Sequence, residues 1–122
     1  MIWRCVTPRG FRARLAGYPQ IWTRDTGVVF LKRGAHRRLQ LIATARAALE
    51  TMSAYQSARG LISPNVNPDT GFISTANAGA VDSNLWYLLG HYLYFNLSGD
   101  LLFLERHWPA IDRAMIWLEY QT

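Results

Sequence analysis

The pattern of hydrophobic and polar positions predicts four helices and no strands. Residues 26–32 are a short apolar segment that ends at Gly34. Residues 35–57 form a longer segment with few helix breakers and an apolar stripe close to the 3.6-residue period. We expect Gly60 to close this second helix, because glycine is common just beyond a helix C-terminus.

The third predicted helix covers residues 82–97, with Asp82 or Ser83 as its cap. It is apolar on nearly every side, so it should be buried between other helices. Its apolar positions are Leu85, Trp86, Leu88, Leu89, Tyr92, Leu93 and Phe95. The polar sequence of residues 98–100, Ser-Gly-Asp, then turns the chain.

The fourth predicted helix covers residues 101–120, and Pro109 near its middle should break or kink it. The positions expected to face inward are Leu104, Trp108, Ile111, Met115, Trp117 and Leu118. Because no segment shows the two-residue alternation of a strand, the fold class is all-α.

Two segments lack a helical period. Residues 1–17 read as irregular structure, and residues 61–80 form a loop rich in proline, asparagine and glycine. A structureless loop of this length is uncommon inside a domain and usually has a function.

Composition limits the chain to at most one domain, since it has 122 residues, of which 50% are hydrophobic and 17% charged. The longest uncharged run, residues 83–99, is too short for a membrane span, so no membrane partner is expected. The N-terminus lacks the pattern of a signal peptide. The single cysteine, Cys5, excludes an internal disulfide and suits a reducing compartment, so we expect the cytoplasm. The three scattered histidines indicate no zinc site.

Charge is distributed unevenly along the chain. Residues 1–59 carry eleven basic residues against two acids, a net +9, whereas residues 60–122 carry two against six, a net −4. A basic half can contact nucleic acid, or it can complement the acidic half or another part of a larger fold. Nucleic acid is the less favoured partner, because no helix-turn-helix, zinc-finger or RNA-binding signature is present.

The most distinctive short motif lies at residues 18–25, Tyr-Pro-Gln-Ile-Trp-Thr-Arg-Asp. An Arg–Asp pair can anchor a sugar, because the carboxylate accepts hydrogen bonds from hydroxyl groups and the guanidinium donates them, while Trp22 offers an apolar face. The same pair could instead cap the helix that follows.

Four motifs together carry a resemblance to a known family. Residues 21–29 look like the Trp-Thr-Arg-Asp motif of glucoamylase-type and debranching-type glycoside hydrolases. Residues 60–66 resemble the loop "GLIPN", and residues 80–87 the motif "ADASLWF", of amylo-α-1,6-glucosidase and glycogen-debranching domains. Residues 94–105 match the turn "TGD..FL" that follows. The resemblance implies an (α/α)6 barrel, a fold shared with glucoamylase and neutral invertase, of which this chain would supply about four helices as αα-hairpins.

The resemblance also implies a set of substrate-binding residues. Arg24 and Asp25 would bind hydroxyls of the terminal sugar in the −1 subsite, with Trp22 lining that pocket. Asn65 would shape its rim, and Asp82 with Trp86 would lie at the head of a barrel helix near the substrate.

Structural roles remain open for several of these residues and their neighbours. Asp82 is equally suited to be an N-cap. Trp108 and Trp117 are more typical of a core than of a sugar platform, and His91, within an apolar helix, is typical of a core histidine with its hydrogen bonds satisfied.

The family's two catalytic carboxylates have no counterpart in this chain. An inverting glycosidase needs a general acid and a general base about 6.5–9.5 Å apart, and both family motifs lie beyond the region of resemblance. We therefore expect residues 1–122 to be an N-terminal fragment of one barrel domain. The intact enzyme would act on terminal α-linked glucose of glycogen or starch-type oligosaccharides and would need no cofactor.

Two further expectations accompany this interpretation. Four helices barely cover the third one, so we expect self-association or a missing half of the barrel. The alternative function is a non-catalytic helical binding module for carbohydrate, or for nucleic acid through the basic N-terminal half.

Overall fold

The computed structural model describes residues 6–8, 10–11, 21–22, 39–63, 65–67, 70 and 82–121. In these ranges the chain forms three helices and four strands of two residues each. The helices are α1 (Leu39–Ala54), α2 (Asp82–Ser98) and α3 (Leu101–Gln121), and the strands are β1 (Val6–Thr7), β2 (Gly10–Phe11), β3 (Ile21–Trp22) and β4 (Asn65–Val66). The fold is all-α, as the hydrophobic pattern predicts. The helix predicted at residues 26–32 lies outside the described residues.

Helix α1 ends three residues earlier than the sequence predicts, at Ala54 instead of Ser57. The cause is a local pairing: the backbone N–H of Ser57 donates to the carbonyl of Leu61 (3.0 Å), and the Ser57 hydroxyl accepts from the Leu61 N–H (2.9 Å). These bonds draw the chain away from the helix axis. Gly60 therefore lies in the turn after the helix, with φ of 102°.

Helices α2 and α3 form an αα-hairpin through the predicted turn at residues 99 and 100. Gly99 adopts φ of 67°, a left-handed conformation that favours glycine, and its N–H donates to the carbonyl of Phe95 at 2.7 Å. Asp100 caps α3, because its carboxylate accepts from the backbone N–H of Phe103 at 3.2 Å.

Pro109 does not break helix α3, which continues from Leu101 to Gln121, so of the predicted break or kink the break is wrong. The predicted inward face is also partly wrong: Trp108 is 56% exposed and Met115 is 48% exposed. The buried positions are Phe103, Ala110, Ile111 and Ala114, where small side chains let α3 approach its neighbours closely.

Helix α2 is not buried on every side, which corrects a further expectation. Leu85 is 55% exposed and Tyr92 is 63% exposed. The buried residues of α2, which packs against α1 and α3, are Gly90 and five residues with polar groups: Ser83, Asn84, Tyr87, His91 and Tyr94. The inward face therefore follows hydrogen bonding and close packing more than hydrophobicity.

One core joins the three helices and the segment after α1. Its largest fully buried side chains include Tyr87, Phe103 and Met52, and Ile62 and Val66 extend it toward β4. Gly90 lets α2 approach α1, since a Cβ there would lie 3.1 Å from a methyl carbon of Leu49. The Tyr87 hydroxyl shares a hydrogen bond of 2.6 Å with Ser53, and burial raises the pKa of Tyr87 to about 12.

The strands correct the expectation of irregular structure in two segments. Strands β1 and β2 pair as an antiparallel hairpin within residues 1–17, and β2 packs against α1. Strand β4 lies within the predicted loop at residues 61–80, and it pairs with β3. In the described part of the chain, no helix has both the length and the apolar character needed to cross a membrane.

Candidate functional site

The antiparallel pair of β3 and β4 brings two of the sequence-predicted site residues together. Trp22 lies opposite Asn65, and Ile21 lies opposite Val66. The N-terminal aromatic motif and the later loop motif thus meet, although 43 positions separate Trp22 from Asn65 in the sequence. Short strands of this kind give no periodic signal, so sequence patterns could not reveal the pairing.

Both residues of strand β4 are buried, and Val66 belongs to the hydrophobic core. Val66 is fully buried and Asn65 is only 6% exposed. The hydroxyl of Ser63 donates to the backbone carbonyl of Asn65 at 2.6 Å, which bends the chain just before the strand. Asn65 is therefore set in place by its own backbone surroundings.

Asn84 fixes the segment that leads into this strand. Its Oδ1 accepts from the N–H of Ile62 at 2.9 Å, while its Nδ2 donates to the carbonyls of Gly60 at 3.0 Å and Ala114 at 3.1 Å. Because one partner is a donor and two are acceptors, the orientation of the amide is determined by its surroundings. Asn84 is fully buried, and these three bonds compensate the cost of removing its amide from water.

A second clamp acts on the same turn. Gln56 donates from Nε2 to the carbonyls of Gly60 (3.2 Å) and Ala110 (2.9 Å), and its Oε1 accepts from Arg113 (3.0 Å). Gly60 lies so close to α3 that a Cβ at this position would be 2.1 Å from the backbone oxygen of Arg113. The turn after α1 is therefore held against α3 by side chains and by backbone contact.

Asp82 and Trp86 lie on the first turns of α2, and both are half-buried. They are four residues apart, so they share one side of the helix. Asn84 lies between them in sequence and reaches Ile62, which ties the start of α2 to the segment that enters β4. Arg24 and Asp25 lie outside the described residues, and for Trp22 the structure gives the backbone pairing alone.

The carboxylates of the described residues offer no buried acid. Glu50, Asp82, Asp100, Glu105, Asp112 and Glu119 are all half-buried or exposed. The pKa of Asp100 is lowered, first by the hydrogen bond from the Tyr94 hydroxyl (2.9 Å) and also by the N–H of Phe103 and the charge of Arg46. A general acid needs a raised pKa, so Asp100 is set up as a cap and an acceptor instead.

His91 occupies the core, as the sequence predicts, but the expectation that its hydrogen bonds are satisfied is wrong. It is 3% exposed, and within the described part of the chain neither ring nitrogen has a hydrogen-bond partner. Its ring instead contacts those of Tyr87, Phe103 and His107, with centroids 4.6, 5.7 and 5.6 Å away. Burial, and then the charge of His107, lower the pKa of His91 from 6.5 to about 3, so the ring is neutral at physiological pH.

Sequence reasoning missed the residues that hold the candidate site together. Asn84 lies within the motif at residues 80–87 but has no role assigned by the sequence, and Gln56 has no sequence signal. Gly60 was assigned to closing a helix, whereas it permits the close approach to α3. Among the described residues, no group of three or more His, Cys, Asp or Glu side chains could hold a metal ion.

The comparison with known families decides the assignment. The family model described as amylo-alpha-1,6-glucosidase matches residues 6–119. The chain belongs to the amylo-alpha-1,6-glucosidase family. The match covers every described helix and strand except the last two residues of α3, and it confirms the resemblance drawn from the four motifs. No curated protein and no solved structure matches the chain.

Proposed function

We propose that this chain binds the terminal α-linked glucose of glycogen or starch-type oligosaccharides, as the sugar-recognising part of an amylo-α-1,6-glucosidase barrel. The observation that carries the proposal is the pairing of Trp22 with Asn65. It joins the aromatic motif, which continues into Arg24 and Asp25, to the loop motif that the family resemblance associates with the pocket rim.

The residue types at this junction suit a sugar. An arginine and an aspartate can donate to and accept from vicinal hydroxyls, and charge-assisted bonds of this kind are roughly twice as strong as neutral ones. Asn65 adds an amide beside the aromatic motif, and Asp82 and Trp86 offer a second carboxylate and aromatic on α2. All six are the substrate-binding residues of the proposal.

This chain binds without hydrolysing, in our proposal. Hydrolysis with inversion needs a carboxylic acid of raised pKa and a second carboxylate that activates water. The six described carboxylates are half-buried or exposed, which is a poor setting for the acid. We propose that residues 1–122 are an N-terminal part of one barrel domain, and that the acid and the base come from other barrel helices.

Exposed apolar side chains support an incomplete barrel or a self-associating chain. Leu85 and Tyr92 on α2, together with Leu102 and Trp108 on α3, are more than half exposed. Large exposed apolar patches mark surfaces that another element covers.

Calorimetry with a branched glucose oligosaccharide tests the proposal. The wild-type chain should bind it, and Asp25→Ala should abolish binding, because the acceptor of the sugar hydroxyls is lost. The matched control is Asp112→Ala, which removes an exposed carboxylate of α3 and should leave the affinity unchanged. Absence of wild-type binding, or full binding by Asp25→Ala, would overturn the proposal.

A charge-reversed variant tests the nucleic-acid alternative. Reversing the charge of Arg37 and Arg38 should leave sugar binding unchanged. If the basic half binds nucleic acid instead, the reversal should abolish binding of a DNA oligonucleotide, and wild-type binding should fall steeply with salt. Salt-dependent DNA binding without sugar binding would favour this alternative.

A further inference from the structure

We propose that Asn84 is a positioning residue for the candidate sugar site, acting through the backbone of residues 60–62 to place Asn65 opposite Trp22. The expected effect of Asn84 on sugar binding rests on the proposed function. Its effect on the position of Asn65 does not. No motif of the family resemblance assigns a role to Asn84.

Asn84 connects two other segments of the chain through its hydrogen bonds. All three of its hydrogen bonds go to backbone atoms of other segments, two to the turn after α1 and one to α3. An apolar side chain could pack α2 against α3 equally well, and it would avoid the cost of burying an amide. What the amide adds is a fixed position for Gly60 and Ile62 relative to both helices.

The route from Ile62 to Asn65 comes next along the chain. Ile62 is fully buried, Ser63 is buried and bonds to the carbonyl of Asn65, and Val66 is fully buried. Because these neighbours are packed, we expect a shift of the backbone at Ile62 to be transmitted to Asn65. The strand pair would then lose its register with Trp22.

Asn84 also lies near two candidate sugar contacts on α2. It lies two residues from Asp82 and two from Trp86, so five consecutive residues carry both candidate sugar contacts and the amide that holds residues 60–62. Removing the amide therefore leaves every proposed sugar-contacting side chain present while it changes their mutual position. Displacements of about 1 Å in such sites can reduce function about 100-fold.

Amide hydrogen exchange of the wild-type chain is the first test. The N–H of Ile62, held by Asn84, should exchange as slowly as the core amides of α2, although it lies outside any helix. Exchange as fast as that of an exposed turn would overturn the proposal. This measurement needs no variant and no sugar.

The second test compares two variants that each remove buried hydrogen bonds of α2. Asn84→Ala should raise the exchange of the amides at Ile62, Asn65 and Val66 at least tenfold relative to the amides of α2. It should also weaken oligosaccharide binding at least tenfold. Tyr87→Phe is the control, because it removes another buried hydrogen bond of α2, to Ser53, on the side of α1. This control should keep the exchange of residues 62–66 and the sugar affinity of the wild type.

The outcomes separate the two proposals. Equal effects of Asn84→Ala and Tyr87→Phe on exchange and affinity would make Asn84 an ordinary core residue and overturn the inference. A wild-type chain that binds no oligosaccharide would overturn the proposed function, while the exchange data would still decide whether Asn84 places the strand. If Asn84→Ala does not fold, amide exchange at Ile62 in the wild type and in Gln56→Ala decides whether Asn84 holds this segment. Gln56→Ala removes the other bond to Gly60 and should leave Ile62 protected.

Discussion

Single residues with unusual backbone or hydrogen-bonding demands hold the candidate site in place. Gly60 allows the turn after α1 to contact the backbone of α3. Asn84 forms hydrogen bonds to that turn with a fully buried side chain. Neither residue touches the sugar in our account. Their effect on function comes from where they hold the chain.

Replacing Gly60 by alanine should be far more costly than replacing Gly99. In Gly60→Ala the new Cβ meets the backbone oxygen of Arg113 at 2.1 Å and φ is 102°, so we expect a loss of about 3 kcal/mol or more in the free energy of unfolding. In Gly99→Ala nothing lies within 4 Å, and the left-handed φ alone should cost about 1–2 kcal/mol. Urea denaturation of both variants measures the difference. Equal losses would show that the close approach to α3 is unimportant.

His91 should make the chain sensitive to acid. Its pKa is about 3 in the folded state and 6.5 when unperturbed, so the unfolded chain binds more protons between these pH values. The contribution of neutral, buried His91 to the free energy of unfolding is complete above pH 6.5 and is lost as the pH falls toward 3. Between pH 6.5 and 5 the free energy of unfolding should fall by about 1.5 kcal/mol.

The control for this prediction is His91→Phe, which removes the titrating group from the aromatic cluster. Denaturation curves measured from pH 6.5 to 5 should then show a free energy of unfolding that depends much less on pH than that of the wild type. Asp100, whose pKa is lowered, also loses its contribution in acid, but it does so below this window. Identical slopes for the two proteins would contradict the account of His91.

At the scale of elements, the helices could be predicted from the sequence and the strands could not. The periodic apolar residues of α2 and α3 place these helices within one residue of their observed ends. Strands β3 and β4 have two residues each, too few for any alternation to be recognised. Their pairing depends on contacts between distant segments, which no local pattern encodes.

The buried faces of the helices were predicted less well than their ends. On α2, the polar Asn84 and the neutral His91 are buried, while the apolar Leu85 and Tyr92 are exposed. A hydrophobic pattern assigns faces by apolar character alone, so it fails where a hydrogen-bonded amide is the better core residue. For the candidate site, the structure adds the pairing of Trp22 with Asn65 and the buried amide of Asn84, whereas the roles of the sequence-predicted residues stay a prediction.

Helix α3 should become more stable when Pro109 is replaced. Proline lacks the N–H that would bond to the carbonyl four residues earlier, and inside a helix it costs about 3 kcal/mol. Proline also restricts the unfolded chain, which raises the free energy of unfolding by about 0.4–1 kcal/mol. Since Pro109 is exposed, Pro109→Ala should raise the free energy of unfolding by about 2 kcal/mol. The control Asp112→Ala, exposed on the same helix, should change it by less than about 1 kcal/mol. A less stable Pro109→Ala protein would contradict this reasoning.

At the scale of the whole molecule, the described residues leave a substantial apolar surface in water. On α3 it includes Leu101 and Leu102, Trp108 and Tyr120, and on α2 it includes Leu85 and Tyr92. Exposed apolar patches of this size mark surfaces that pack against another element or another chain. The surface is therefore consistent with our proposal that the chain is one part of a barrel.

We predict that the chain self-associates through this surface. In sedimentation velocity, the wild type should form larger species as its concentration rises, and Leu101→Lys combined with Trp108→Lys should shift it toward monomer. These positions are seven residues apart and share one side of α3. The control Gln121→Lys adds a lysine to an exposed position of α3 on the side opposite Leu101 and should retain association. A wild type that stays monomeric at every concentration would contradict the prediction.

The most direct test of the central claim is a nuclear magnetic resonance titration of the isotopically labelled chain with a branched glucose oligosaccharide. Our account predicts that backbone shifts change mainly at residues 22–25, at Asn65 and at the start of α2. Changes confined to the exposed face of α3, or no changes at all, would contradict the assignment of a sugar site to the junction of Trp22 and Asn65.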